Sequence, residues 1–174
     1  MAVNPAEEIV NVWLQDIQGY FTRQNVNVPK QGRLRNGKMV CGGRGREIDI
    51  LGINNKGQRI WVEVSVSPNP YLPRKEERFN TAFDMVKTKF HNEKAREVNR
   101  IFGGKKYKKF FIYSEKLFKK NEEARFIDRL KKIGITAESF HKLFDECIDK
   151  INHYSVDPTR IYLYYSKYFP RPQK

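Results

Sequence analysis

The chain has 174 residues, with 34 Lys plus Arg against 20 Asp plus Glu, a formal net charge of +14 and an isoelectric point near 9.8. That length fits one domain over residues 1–174 with a single core, and that charge points to a polyanionic partner, nucleic acid before any other. No apolar run approaches the ~18 residues of a membrane-spanning helix and no lipidation motif occurs, so no membrane partner is expected.

"MAVNPAEEIVNVW" turns acidic early, unlike a signal peptide, and the expected location is cytoplasmic. Cys41 and Cys147 lie far apart, with no CxxC and only three histidines, and read as free reduced thiols rather than zinc ligands.

In chain order, "NPAEEIVNVWLQDIQGYF" opens with a cap residue, a Pro at the first helical position and Glu in the first turn. Ile9, Val12, Trp13, Ile17, Tyr20 and Phe21 recur at helical spacing and predict an amphipathic helix. "TRQNVNVPKQGRLRNGKMVCGGRG" suits an irregular or edge strand and a flexible basic loop. "GREIDILGINNKGQRIWVEVSVS" reads as a hairpin. Three prolines in "SPNPYLPRKEE" break regular structure, and a long helix is expected from about Glu76 to Ile101.

"GGKKYKKFFIYS" predicts a turn and a buried strand near Lys109 to Ser114. A basic helix from about Lys119 to Lys132, a short strand in "GITAESF" and a helix in "HKLFDECIDKINHY" follow. "DPTRIYLYYSKYF" begins with Asp-Pro and predicts a last helix with Ile161, Tyr164, Tyr165 and Tyr168 on one face, for core or dimer packing in preference to base stacking.

The hairpin raises a chemical question, because acids sit amid its apolar residues. With Asn55, Lys56 and Gly57 as the loop, Asn54 pairs with Gln58, and Asp49 falls opposite Glu63 and Glu47 opposite Ser65. Glu47, Asp49, Glu63 and Ser65 would then share a face, while Ile48, Ile50, Ile60, Val62, Val64 and Val66 share the core face. Opposed like charges destabilise a sheet. A divalent cation such as Mg²⁺ or Mn²⁺ would compensate them; a wet strand face carrying acids is the alternative.

These residues resemble the PD-(D/E)xK nuclease superfamily, the restriction-endonuclease-like fold, in its Holliday-junction-resolvase-like pattern. "EIDILGIN" supplies the strand acid, Asp49, and "WVEVSV" supplies Glu63, while Glu8 precedes Gly19-Tyr20 by eleven positions, as a first-helix metal-binding Glu does in resolvase-like members. The resemblance covers roughly residues 5 to 115. It implies an α/β nuclease-like domain: a mixed central sheet flanked by helices in the order helix, three strands, helix, strand, to which a C-terminal helical extension is added. It also implies an ion held by Asp49, Glu63 and the Val64 carbonyl with help from Glu8, and a possible homodimer.

One departure stands out: the motif Lys is replaced by Ser65, which brings a hydrogen-bond donor and no charge. Lys87, Lys89 or Lys38 could supply the missing cation, or each could belong to a solvated basic face. The expected function is a metal-dependent endonuclease acting on DNA, with Asp49, Glu63 and Ser65 catalytic. The alternatives are an inactive nuclease-fold protein that binds nucleic acid, and a basic scaffold for RNA. Arg33, Arg35, Arg44 and Arg46, in a Gly-rich stretch before the hairpin, are the expected phosphate contacts, joined by Lys87 and Lys89. The lysines from Lys105 to Lys109 read as general surface charge.

Overall fold

The Asn4 side chain accepts a hydrogen bond from the Ala6 amide at 3.1 Å, and Pro5 fills the first helical position, so α1 (Pro5–Val12) starts where its sequence signals a start. The computed structural model of the chain describes residues 4–29, 33–35, 38–40, 46–66, 83–84, 86–114, 118, 120–151 and 157–166. Beyond Val12 the helix runs on as a π-helical segment, Trp13–Ile17. Gly19, at φ +67°, ends it. Tyr20 and Phe21, expected on the helix, therefore begin strand β1 (Tyr20–Val28) instead.

Strands β2 (Arg33–Arg35) and β3 (Lys38–Val40) form a separate two-stranded ribbon. The main sheet adds β4 (Arg46–Asn54), β5 (Arg59–Ser65), β6 (Lys108–Tyr113) and β7 (Ile135–Ser139) to β1, in the order β1-β4-β5-β6-β7. The first three strands are antiparallel neighbours and the last three parallel. Parallel neighbours need crossovers, and helices α2 (Asn92–Ile101) and α3 (Lys120–Lys132) provide them. Helices α4 (Phe140–Lys150) and α5 (Pro158–Ser166) are the last described elements. The architecture is α/β, a five-stranded mixed sheet flanked by helices.

Helices on both sides bury both faces of β5. Ile50, Ile60, Val62 and Val64 pack with α1, α4 and α5 in one core, while Leu51, Trp61 and Phe111 pack with Phe83, Phe90, Val98 and Phe126 in the other. The face expected to be polar is thus a second core, because crossover helices cover it. Ile48 joins that second core although Ile50 joins the first, against the expected alternation.

The single helix expected from Glu76 to Ile101 is interrupted. Residues 83–84 and 86–89 are helical, then His91 caps a new helix, its Nδ1 accepting from the Glu93 amide at 3.1 Å. Residues 76–82 lie outside the described set. In α5 Leu163 is buried and Tyr164 of the expected face packs against the same core, while Tyr165 is half exposed; Tyr168 lies outside the described residues. Arg160 anchors α5 to the π-helical segment, its Nε donating to Asp16 Oδ2 at 2.7 Å.

Candidate functional site

The β4–β5 ladder follows the register read from the loop, from Ile53 opposite Arg59 to Ile50 opposite Val62. It stops one step short of pairing Asp49 with Glu63. Asp49 Oδ2 instead accepts a hydrogen bond from the Val64 amide at 2.7 Å, taking a place that a β4 carbonyl would otherwise fill. On the other side of β4, Asn25 occupies the register position opposite Asp49 at φ +50° and drops out of the β1 ladder. Asn is among the few non-glycine residues that tolerate this region. Val26, Val28 and Ile48 consequently pack in the second core, whereas Tyr20 and Ile50 pack with the first. Asp49 therefore stands where the sheet opens, near the carboxyl end of β5, the end at which α/β sheets gather ligands.

Two lysines meet the acids there. Lys89 Nζ donates to the Val64 carbonyl at 2.7 Å and to Asp49 Oδ2 at 3.1 Å, with Glu63 Oε2 at 3.8 Å. Lys94 Nζ lies 2.7 and 2.6 Å from the two oxygens of Glu63, which also accepts from Trp61 Nε1 at 2.7 Å. Glu63 is fully buried and Lys94 nearly so. In one continuous helix, positions 89 and 94 would point about 140° apart. The break at Phe90 and His91 is what lets both ammonium groups reach the same strand.

Burial, reinforced by the charge of Asp49, pushes the Glu63 carboxyl up to about 7 despite the opposing pull of Lys94 and Lys89. Glu7 is also raised, by burial and by Asp49, with a smaller contribution from Glu47; its hydrogen bond from Asn4 and the charge of Lys89 oppose this. Of the two α1 acids, Glu7 feels the charges of Asp49 and Lys89, while the charge of Glu8 acts on Arg160. Adjacent helical residues point about 100° apart, and spacing to Gly19-Tyr20 cannot resolve that step across a π-helical segment.

Of the expected residues, Asp49, Glu63 and Val64 come together, and Ser65 stands partly exposed beside them on β5. Glu47 is partly buried and feels the same cluster only through its charge. Lys89, expected as a nucleic-acid contact, lies inside the acid cluster. Lys87 is exposed, 3.7 Å from Asp84 and over the Phe83 ring. Arg33 and Arg35 belong to β2 and Arg46 starts β4, rather than lying in a loop, and Arg44 lies outside the described residues. Lys38 is in β3.

Among the described residues, no group of three or more His, Cys, Asp or Glu side chains is arranged to hold a metal ion. Of the expected set of Glu8, Asp49, Glu63 and the Val64 carbonyl, the last three meet around Lys89, with both Glu63 oxygens engaged by Lys94, while the charge of Glu8 bears on Arg160. The oxygens of Asp49, Val64 and Glu63 converge instead on the Lys89 ammonium.

Sequence comparison finds no protein-family profile that matches the chain and no curated protein with significant similarity to it. Among the described residues no helix is long and apolar enough to cross a membrane.

Proposed function

We propose that the chain is a Mg²⁺- or Mn²⁺-dependent nuclease with a restriction-endonuclease-like core, hydrolysing phosphodiester bonds in DNA. The observation that carries this reading is the convergence of Asp49 Oδ2, the Val64 carbonyl and Glu63 Oε2 on Lys89 Nζ. The donors are all oxygen, the chemistry that a hard divalent ion takes from one or two carboxylates, a carbonyl and waters. Such an ion, once bound, would polarise the phosphate and lower the pKa of its water.

Lys89 answers the absence of a Lys at position 65. Its four-carbon stem allows the ammonium to leave Asp49 and meet a phosphate oxygen, the electrostatic role that Ser65 lacks. Lys94 locks Glu63 in one rotamer through both oxygens. Glu7, held by Asn4 Nδ2 at 2.6 Å, keeps a carboxyl of raised proton affinity beside the cluster, suited to take up a proton from water.

The same lysines support a second reading, a nuclease-fold protein that binds nucleic acid without cutting it, since two ammonium groups already neutralise two carboxylates. A cleavage assay decides between them. Labelled duplex, single-stranded, four-way-junction and RNA substrates are incubated with Mg²⁺ or Mn²⁺ and wild type, Asp49→Ala or Lys89→Ala. Metal-dependent cutting lost in both variants, with binding by Asp49→Ala barely weakened, is the expected result. Binding without cleavage of any substrate would establish the second reading.

A further inference from the structure

We infer that the hairpin end of the sheet is a second nucleic-acid surface, one that stacks the bases of an unpaired strand, apart from the acid cluster. Register sets Phe21 of β1 opposite Ile53 of β4, and Ile53 opposite Arg59 of β5. Residues directly opposite share a face, so these three form one row about 10 Å across. Phe21 is 75% exposed and Ile53 37% exposed. Arg23 is exposed on the same face of β1. Arg59 is held in place by its own turn, Nη1 donating to the Gly57 carbonyl at 2.7 Å. On the far side Lys109 lies 5.8 Å from the Trp61 ring, with Tyr107 partly buried behind it.

The strands and turns at this end carry charge of one sign. Arg23, Lys56, Arg59 and the four lysines between Lys105 and Lys109 give seven cations, and residues 20–28, 52–62 and 102–112 contain no Asp or Glu. An exposed ring flanked by these cations disfavours pairing of this face with itself and attracts a polyanion. Every base offers a π-face to an aromatic side chain while its phosphates follow the cations, an arrangement that tolerates any sequence. A duplex keeps its base faces stacked inside, so the occupant is single-stranded. This goes beyond the hydrolase reading, because the Phe21 row lies four residues, about 13 Å, along β4 from Asp49 and does not need that centre to be active.

The test is fluorescence anisotropy of a labelled oligothymidylate in EDTA, which prevents cutting, with a labelled duplex in parallel. Phe21 is exposed, so its variants fold. Phe21→Ala and Phe21→Leu are expected to weaken single-strand binding by about five- to hundredfold with an unchanged salt slope, while Phe21→Tyr retains it. Arg23→Ala and Arg59→Ala should each lower the slope of log affinity against log salt by about 0.7. Wild-type affinity in Phe21→Ala or Phe21→Leu would overturn the assignment, as would an equal loss on duplex. So would a change in sedimenting mass without a change in affinity, which assigns the row to contact between copies. Binding here is read in EDTA and cutting in Mg²⁺ or Mn²⁺, so failure of the cleavage reading and failure of this surface are read in separate experiments.

Discussion

Replacing Lys94 by Met removes the ammonium that both Glu63 oxygens engage and leaves a fully buried carboxyl beside Asp49. Even with Lys94 present, Glu63 titrates at about 7 instead of 4.5. Because the folded state keeps a proton that the unfolded chain has already released, wild-type stability falls as pH rises through that window. At about 1.4 kcal/mol per pH unit the loss is roughly 3 kcal/mol. Without Lys94 the folded pKa rises further, so the fall continues above pH 7. Below about pH 7, wild type and Lys94→Met lose stability together and differ little. Above it, their difference widens by about 1.4 kcal/mol per unit, toward the ~3–5 kcal/mol of a broken buried pair. Urea unfolding at about pH 6 and about pH 9 measures this directly. Adding Glu63→Gln should recover most of the loss at high pH, since a neutral pair needs no counterion. A pH-independent difference between wild type and Lys94→Met would refute the argument.

Two further outcomes bear on the centre itself. In a Lys89→Ala background, whose cleavage rate should fall by about 10²–10³, Ser65→Lys is expected to restore part of the activity, because residue 65 neighbours Glu63 and Val64 on β5; no recovery in a kinetic assay would detach Lys89 from the missing motif Lys. Glu7→Gln should lower the cleavage rate and shift its pH profile, whereas Glu8→Gln should alter neither; the reverse order would return the role to Glu8.

The parts of this structure written in local signals were legible. Asn4-Pro5 and Asp157-Pro158 each mark a helix start, Asp157 Oδ1 accepting from the Arg160 amide at 2.9 Å. Gly57 at φ +72° sets the loop and with it the register of the hairpin. What the sequence did not reveal depends on partners distant in the chain. Acids alternating with apolar residues look the same whether the second face meets water or a crossover helix, so the burial of Glu63 beside Trp61 was hidden. The helical pattern of residues 76–101 runs straight through His91, and only a capping imidazole shows the break. Lys89 was one of three lysines that the sequence offered for the missing cation, with nothing to separate it from Lys87 or Lys38, because its distinction lies in reaching Val64, 25 residues earlier.

The pairing of Asp49 and Glu63 with Lys89 and Lys94 also shapes how an anion arrives. A bare carboxylate cluster would set an electrostatic barrier at the end of the path along which the +14 charge draws a polyanion. With two ammonium groups beside the two carboxyls, the cluster carries no net negative charge whether Glu63 is protonated or ionised, so the encounter proceeds to contact without waiting for an ion from solution. On the proposed metal-dependent reading, association and ion loading would then be separable events, the first governed by the outer charge of the protein and the second by when Lys89 lets go.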